Sequence, residues 1–303
     1  MKVGIKFGPN QFPGVLEKSR AKYAEIYFRL DQKDQYKKIY QYLNANGIKF
    51  GIHFWAIIKG KYCPNLAYSG GGIAEETAEL IKQTIDIASQ AGAFYVNFHP
   101  ESLRAVELDL DKQEFKTSPL PPITEQEAFD SLLYYLKILK EYASERNVEI
   151  YTETVPYYDP SHFREGEKED GREKIVDKRG MSTKSLIKLG KKGFNLCFDI
   201  AHAGNQYPNE TREMIFQKIY QEAREIAPYT KLIHVSTTVP PLNGTDSHNG
   251  ILEDDFKQDA FPDREQLLKI LAAFKKYPNI LCIPEPQIDK MVENYFELKK
   301  ILS

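Results

Sequence analysis

Eight short apolar, β-rich runs recur along this chain, at 3–7, 24–28, 48–54, 94–98, 148–155, 194–198, 232–235 and 280–283. Stretches of helical period follow most of them, at 33–45, 74–90, from Thr124 onward, 183–189, 211–226, 264–274 and 290–301. Thr124 and Glu127 form a capping-box pattern ahead of the apolar face Leu132, Leu133, Leu136 and Leu139. Runs that are apolar almost throughout imply parallel strands covered by helices on the outer side. Eight such units in 303 residues predict an α/β fold, a single (β/α)8 TIM barrel. An open doubly wound sheet is the competitor, but no GxGxxG follows the first run, where that fold would carry it. Without a linker, a low-complexity tract or a shift in composition, residues 1–303 read as one domain.

Composition narrows the setting. With 42% apolar and 28% charged residues, the chain has ample material for a core. Its apolar runs fall short of the ~18–20 residues needed to span a bilayer, so no membrane partner is expected. The opening MKVGIKFG carries no apolar segment or cleavage site of an export signal. Three cysteines, Cys63, Cys197 and Cys282, have no CxxC spacing, and two sit in buried-looking strands, which fits a reducing cytoplasm. A formal charge of −2 supplies no overall positive field for nucleic acid.

The connections are uneven. Those from strand to helix at 55–73, 99–123, 156–181 and 236–263 are long, whereas helix-to-strand links such as Gly92-Ala93 and Lys192-Gly193 are short. Long loops are usually functional, and in a barrel all strand-to-helix loops lie on the face that carries chemistry. At or just past the strand ends stand His53, His99, Glu153, Asp199, His202, His234 and Glu285, with Asp246 and His248 in the seventh loop. Five of the six histidines belong to this set.

Taken singly, most of these residues have plainer readings. Asp199 with His202 suits a helix N-cap beside a surface histidine, and His53 or His99 alone suits a satisfied core histidine. Asp246 and His248 suit a turn rich in Gly, Asn and Ser. Glu153 and Glu285 are harder to dismiss, because a carboxylate in an apolar strand needs a partner or a metal to offset its desolvation. Jointly, nine oxygen and imidazole donors on one rim predict metal binding, with enough ligands for more than one ion. A donor set without thiolate favours zinc, with manganese or iron as alternatives. His162 reads as a solvated loop residue, and 164–179, with six basic and six acidic side chains, as a solvated loop.

FHPES around His99, FDIAH around Asp199 and His202, the spacing from His234 to Asp246-Ser-His248, and the terminal Glu285 resemble the endonuclease IV family. That family is the DNA-repair branch of the xylose-isomerase-like barrels. The resemblance runs in the same order from His53 to Glu285 and implies a centre of three zinc ions. His53, His99 and Glu153 would hold one ion. Glu153 would bridge to a second, completed by Asp199, His234 and Glu285, and His202, Asp246 and His248 would hold the third. The implied reaction is phosphodiester hydrolysis of abasic DNA, with Glu153 and Glu285 as the catalytic carboxylates. Related sugar isomerases and epimerases are the rival: one metal, a small sugar substrate, and Glu153 with Glu285 as an acid/base pair. The surround reads differently from a DNA-binding face. Phe54, Trp55 and Ala56 follow His53, Asn249-Gly250-Ile251 follow His248, and Glu253, Asp254 and Asp255 lie close by in sequence without a compensating Lys/Arg stripe.

Overall fold

The computed structural model describes residues 1–109, 114–156, 180–207, 210–240, 242, 247–277 and 279–303. Asp246, His162 and the charged tract 164–179 lie outside them. The strands of the main sheet are β1 (Lys2–Val3), β2 (Ile5–Phe7), β3 (Tyr23–Arg29), β4 (Lys49–Trp55), β5 (Tyr95–Phe98), β8 (Glu149–Glu153), β9 (Asn195–Asp199), β10 (Thr230–Val235) and β11 (Leu281–Pro284). All pair in parallel, in the order β1-β11-β10-β9-β8-β5-β4-β3-β2. Because β1 and β2 are consecutive across Gly4, one pairing with β11 and the other with β3, the ladder returns to its start and the sheet closes as the (β/α)8 barrel.

The helices are α1 (Gly14–Ser19), α2 (Lys37–Ala45), α3 (Ile73–Ala91), α4 (Glu125–Ser144), α5 (Thr183–Lys191), α6 (Ile200–Gly204), α7 (Arg212–Ile226), α8 (Glu253–Phe256), α9 (Arg264–Ala272) and α10 (Met291–Leu302). The predicted capping box is present: Thr124 Oγ1 accepts from the Glu127 amide and Glu127 accepts from the Thr124 amide. Three features differ from the sequence pattern. The pattern over 33–45 splits into a 3-10 segment, Leu30–Tyr36, with non-helical Gln32, and then α2. The loop after β5 holds an antiparallel hairpin, β6 (Val106–Asp109) and β7 (Glu114–Thr117). Short α6 follows β9 with no loop between them. No helix among the described residues is long and apolar enough to cross a membrane.

Strand periodicity explains why the site lies where it does. Alternate residues of a strand face the same side. Tyr95, Tyr151, Cys197, Leu232, Leu281 and Ile283 form a separate buried apolar cluster. Two positions on from the first four stand Asn97, Glu153, Asp199 and His234, and two on from Ile283 stands Glu285. One strand face therefore carries an apolar floor first and a polar layer at its C-terminal end. Gly51 makes room for that floor, since a Cβ there would lie 2.1 Å from Cζ of Tyr95. His53 is two positions further along β4.

Away from the site, Glu222 on α7 is buried and accepts a hydrogen bond from the Tyr207 hydroxyl. Burial outweighs that bond and the nearby Lys184, raising its carboxyl from 4.5 to about 7. The folded state thus binds a proton that the unfolded chain has released between these values, and stability falls as pH rises through that window. Glu222→Gln is expected to match the wild type at pH 4 and exceed it at pH 8 by about 3 kcal/mol, at roughly 1.4 kcal/mol per pH unit of the window. Urea unfolding at the two pH values checks this.

Candidate metal centre

Eight of the nine candidate ligands lie in the described residues, and the barrel brings all eight to one place. Glu153, the last residue of β8, is the hub. Its Oε1 lies 3.0 Å from His234 Nδ1, 3.3 Å from His99 Nε2 and 3.5 Å from His202 Nδ1. Its Oε2 accepts a short hydrogen bond from Asn97 Nδ2 and lies 3.9 Å from His53 Nε2. His234 Nδ1 is also 2.9 Å from Glu285 Oε2 and 3.8 Å from Asp199 Oδ2. The ring centroids of His99 and His202 are 5.3 Å apart, and those of His202 and His248 are 5.2 Å apart. Donor atoms of His53, His99 and Glu153 gather within 4.8 Å of one another, as do those of Glu153, Asp199, His234 and Glu285.

Asp199 combines the two readings open to it in sequence. Its Oδ1 caps α6 by accepting from the His202 amide at 2.8 Å, while Oδ2 makes no hydrogen bond. Because α6 starts directly at the strand end, the cap also turns His202 back toward β8, where its Nδ1 donates to Thr154 O at 2.8 Å.

Two residues absent from the sequence-based set complete the cluster. Glu25, in the middle of β3, is fully buried. Its Oε1 accepts from His234 Nε2 at 2.8 Å and its Oε2 from the Tyr95 hydroxyl at 2.8 Å. Lys6, on β2 and 3% exposed, places Nζ 2.5 Å from Glu285 Oε1, 2.6 Å from His53 Nδ1 and 3.3 Å from Glu25 Oε1. The desolvation argument that singled out Glu153 applies equally to a lysine in GIKF and a glutamate in YAEIYF.

The electrostatics favour a cation. Among the described residues, Glu25, Glu153, Asp199 and Glu285 face one fixed positive charge, Lys6. Burial alone would pull the Lys6 ammonium toward neutrality, but Glu285, Glu25 and Glu153 outweigh it and hold the charge. Burial likewise disfavours ionised Glu25, Glu153 and Glu285, yet neighbouring histidines, joined by Lys6 at Glu25 and Glu285, push all three well below the usual carboxylate range. At Asp199, burial prevails over His202 and His248 and raises the carboxyl. Burial also opposes protonation of His99, but Glu153 and Glu101 bring it up to about 9. Oδ2 of Asp199 is buried without a hydrogen-bond partner, while Nε2 of His99 and Oε2 of Glu285 are buried and meet Glu153 and His234 at 3.3 and 2.9 Å without a well-directed hydrogen bond. Buried polar atoms left this way are costly, and a divalent ion is the group this donor chemistry fits.

The site opens into a pocket of about 360 Å³ lined by His53, His99, His202, His248 and Glu285, with Tyr27, Phe54, Trp55, Val106 and Val155 as apolar walls. Among the described residues lining it there is no lysine or arginine, and Glu253, Asp254 and Asp255 do not line it either. Asp255 is buried, accepting from the Leu252 amide at 2.9 Å and Lys290 Nζ at 3.0 Å.

Fold and site thus define a closed (β/α)8 barrel with a histidine- and carboxylate-rich pocket at the C-terminal ends of its strands. Residues 15–298 match the family described as xylose isomerase-like TIM barrel, and the chain belongs to that family. Among solved structures it is similar to a D-tagatose 3-epimerase-like protein (17% identity, 100% of this chain and 97% of that one, TM-score 0.66). It is also similar to endonuclease IV from Thermus thermophilus (13% identity, 100% and 99%, TM-score 0.57). A third is the TTHB071 protein from the same organism, soaked with ZnCl2 (15% identity, 99% and 98%, TM-score 0.58). At these identities the likeness concerns the fold. No curated protein matches the chain.

Proposed function

We propose that this protein is a metal-dependent phosphoester hydrolase whose centre resembles that of endonuclease IV and holds more than one divalent ion, zinc foremost. One observation carries the reading: His53, His99 and His202 surround Glu153, with the His248 ring beside that of His202, in addition to the compact set Glu153, Asp199, His234 and Glu285. A single ion needs only the compact set.

His53, His99 and Glu153 would hold one ion, and Glu153, Asp199, His234 and Glu285 the next. His202 and His248 would serve a third, with Asp246 as the resemblance to endonuclease IV implies. Bound there, divalent ions supply charge stabilisation for a phosphoryl group and acidify a water. The chain's own residues do the rest. Glu285 reaches the pocket wall with its Oε1 held by Lys6 and its Oε2 2.9 Å from His234 Nδ1, which fixes the carboxylate where it would meet the nucleophile. The Glu25 carboxylate and the Thr154 and Glu285 carbonyls accept from outer nitrogens of His234, His202 and His248, fixing ring orientation. The apolar walls exclude water from the reacting group.

A second reading has its own support. The compact four-donor set suffices for one ion, and a small pocket with no basic side chain among its described lining residues suits a neutral sugar better than a DNA backbone. Glu153 and Glu285 would then form the acid/base pair of a sugar epimerase or isomerase. Incubating the zinc-loaded protein with an abasic-site duplex and, separately, with a panel of ketoses distinguishes the two. Strand cleavage at the abasic site is expected; epimerised sugar with an intact duplex would overturn the hydrolase reading.

A further inference from the structure

Four histidines of the centre hold one ring nitrogen against an acceptor. His99 Nδ1 meets Glu101 Oε1 at 3.1 Å, His202 Nδ1 meets Thr154 O at 2.8 Å, His234 Nε2 meets Glu25 Oε1 at 2.8 Å, and His248 Nδ1 meets Glu285 O at 3.3 Å. An acceptor on one nitrogen holds a proton there, so the other nitrogen is the one that can give its lone pair to a metal.

His53 is wired the opposite way. Its Nδ1 lies 2.6 Å from Lys6 Nζ, and an ammonium can only donate. Nδ1 therefore supplies the lone pair, and the ring proton sits on Nε2, the nitrogen 3.9 Å from Glu153 Oε2. Glu25 Oε1, 3.3 Å from the same Nδ1, is the acceptor that would support the other tautomer. It lies also 3.3 Å from Lys6 Nζ, so lysine and imidazole compete for it. With Glu285, His53 and Glu25 around it, the ammonium has a partner for each of its three hydrogens and is held in place.

We propose that Lys6 is a positioning residue that withholds His53 from metal: its ammonium fixes the tautomer in which Nε2 carries the proton. An ion enters the His53–His99–Glu153 site only when Lys6 releases Nδ1 and the ring proton moves there, toward Glu25. That site is accordingly the weakest of the centre, filled last and emptied first. Lys6 also brings a positive charge against the donors that ion would use. The metal occupancy rests on the centre proposed above, whereas the tautomer does not.

The tautomer is read directly from ¹⁵N chemical shifts of the His53 ring in metal-free wild-type protein, assigned by comparison with His53→Gln. Protonated Nε2 and unprotonated Nδ1 are expected; protonated Nδ1 overturns the proposal without any substitution at Lys6. In Lys6→Met the proton is expected to move to Nδ1. In equilibrium dialysis against buffered zinc, the weakest binding step of the wild type is then expected to tighten about tenfold, the lower end of what outer partners of metal ligands contribute. Lys6→Met/His53→Gln is expected to lose that step altogether. An unchanged weakest step in Lys6→Met, with the tautomer unmoved, also overturns the proposal. A moved tautomer with no zinc bound to any of the proteins upholds the Lys6–His53 pairing and overturns the metal centre instead.

Discussion

Glu153→Gln is expected to abolish activity, by about 10³-fold or more, and to strip the protein of most of its metal. Removal of one fixed charge-stabilising group from an active site typically costs 10²–10³-fold, and Glu153 belongs to both compact donor groups. The substitution keeps the side chain's shape and an oxygen for Asn97 Nδ2, so the barrel remains folded. What disappears is the negative charge that faces His99, His202 and His234. An amide is a poor ligand for a divalent ion beside imidazoles, and it cannot bridge two. Circular dichroism and metal analysis on the same preparation separate this outcome from misfolding.

Glu285→Gln is expected to act differently. Glu285 belongs to the compact donor set only, lines the pocket and anchors Lys6. Its loss leaves Glu153 and the histidines as ligands, so part of the metal stays while turnover falls by roughly 10²–10³-fold. Stability falls too, since Lys6 keeps only Glu25 as a carboxylate partner at 3.3 Å. Breaking a buried ion pair costs about 3–5 kcal/mol when the remaining charge has no partner; with Glu25 retained, about 1–3 kcal/mol is expected. Thermal unfolding of the metal-free variant against metal-free wild type measures that part alone. The two variants together distinguish a bridging carboxylate from one that serves a single ion and the substrate.

How much of this was legible in the sequence differs from residue to residue. The barrel is, because a parallel strand buried on both faces leaves an apolar run and its helix leaves a 3.6 period, and neither depends on distant partners. His53, His99, Asp199, His234 and Glu285 are legible because each stands at or just past the end of such a run. Their mutual distances are not, since closure of the sheet between β11 and β1 sets them. Glu25 and Lys6 carried a readable signal, a charge inside an apolar strand, but they stand away from the loops where chemistry is sought first. The β6–β7 hairpin sits in a polar segment whose alternation is too short to stand out. The 3-10 turn ahead of α2 shares its apolar spacing with the helix that follows. Asp246, placed in the third ion's ligand set by resemblance, lies outside the described residues.

The central claim is that this barrel carries a centre for more than one metal ion. The direct measurement is the metal content per chain of protein stripped with chelator, reloaded with zinc and dialysed, determined by mass spectrometry of the elements. More than one zinc per chain, up to three, is predicted, falling sharply in Glu153→Gln. A single ion per chain, or none, would contradict the multinuclear centre.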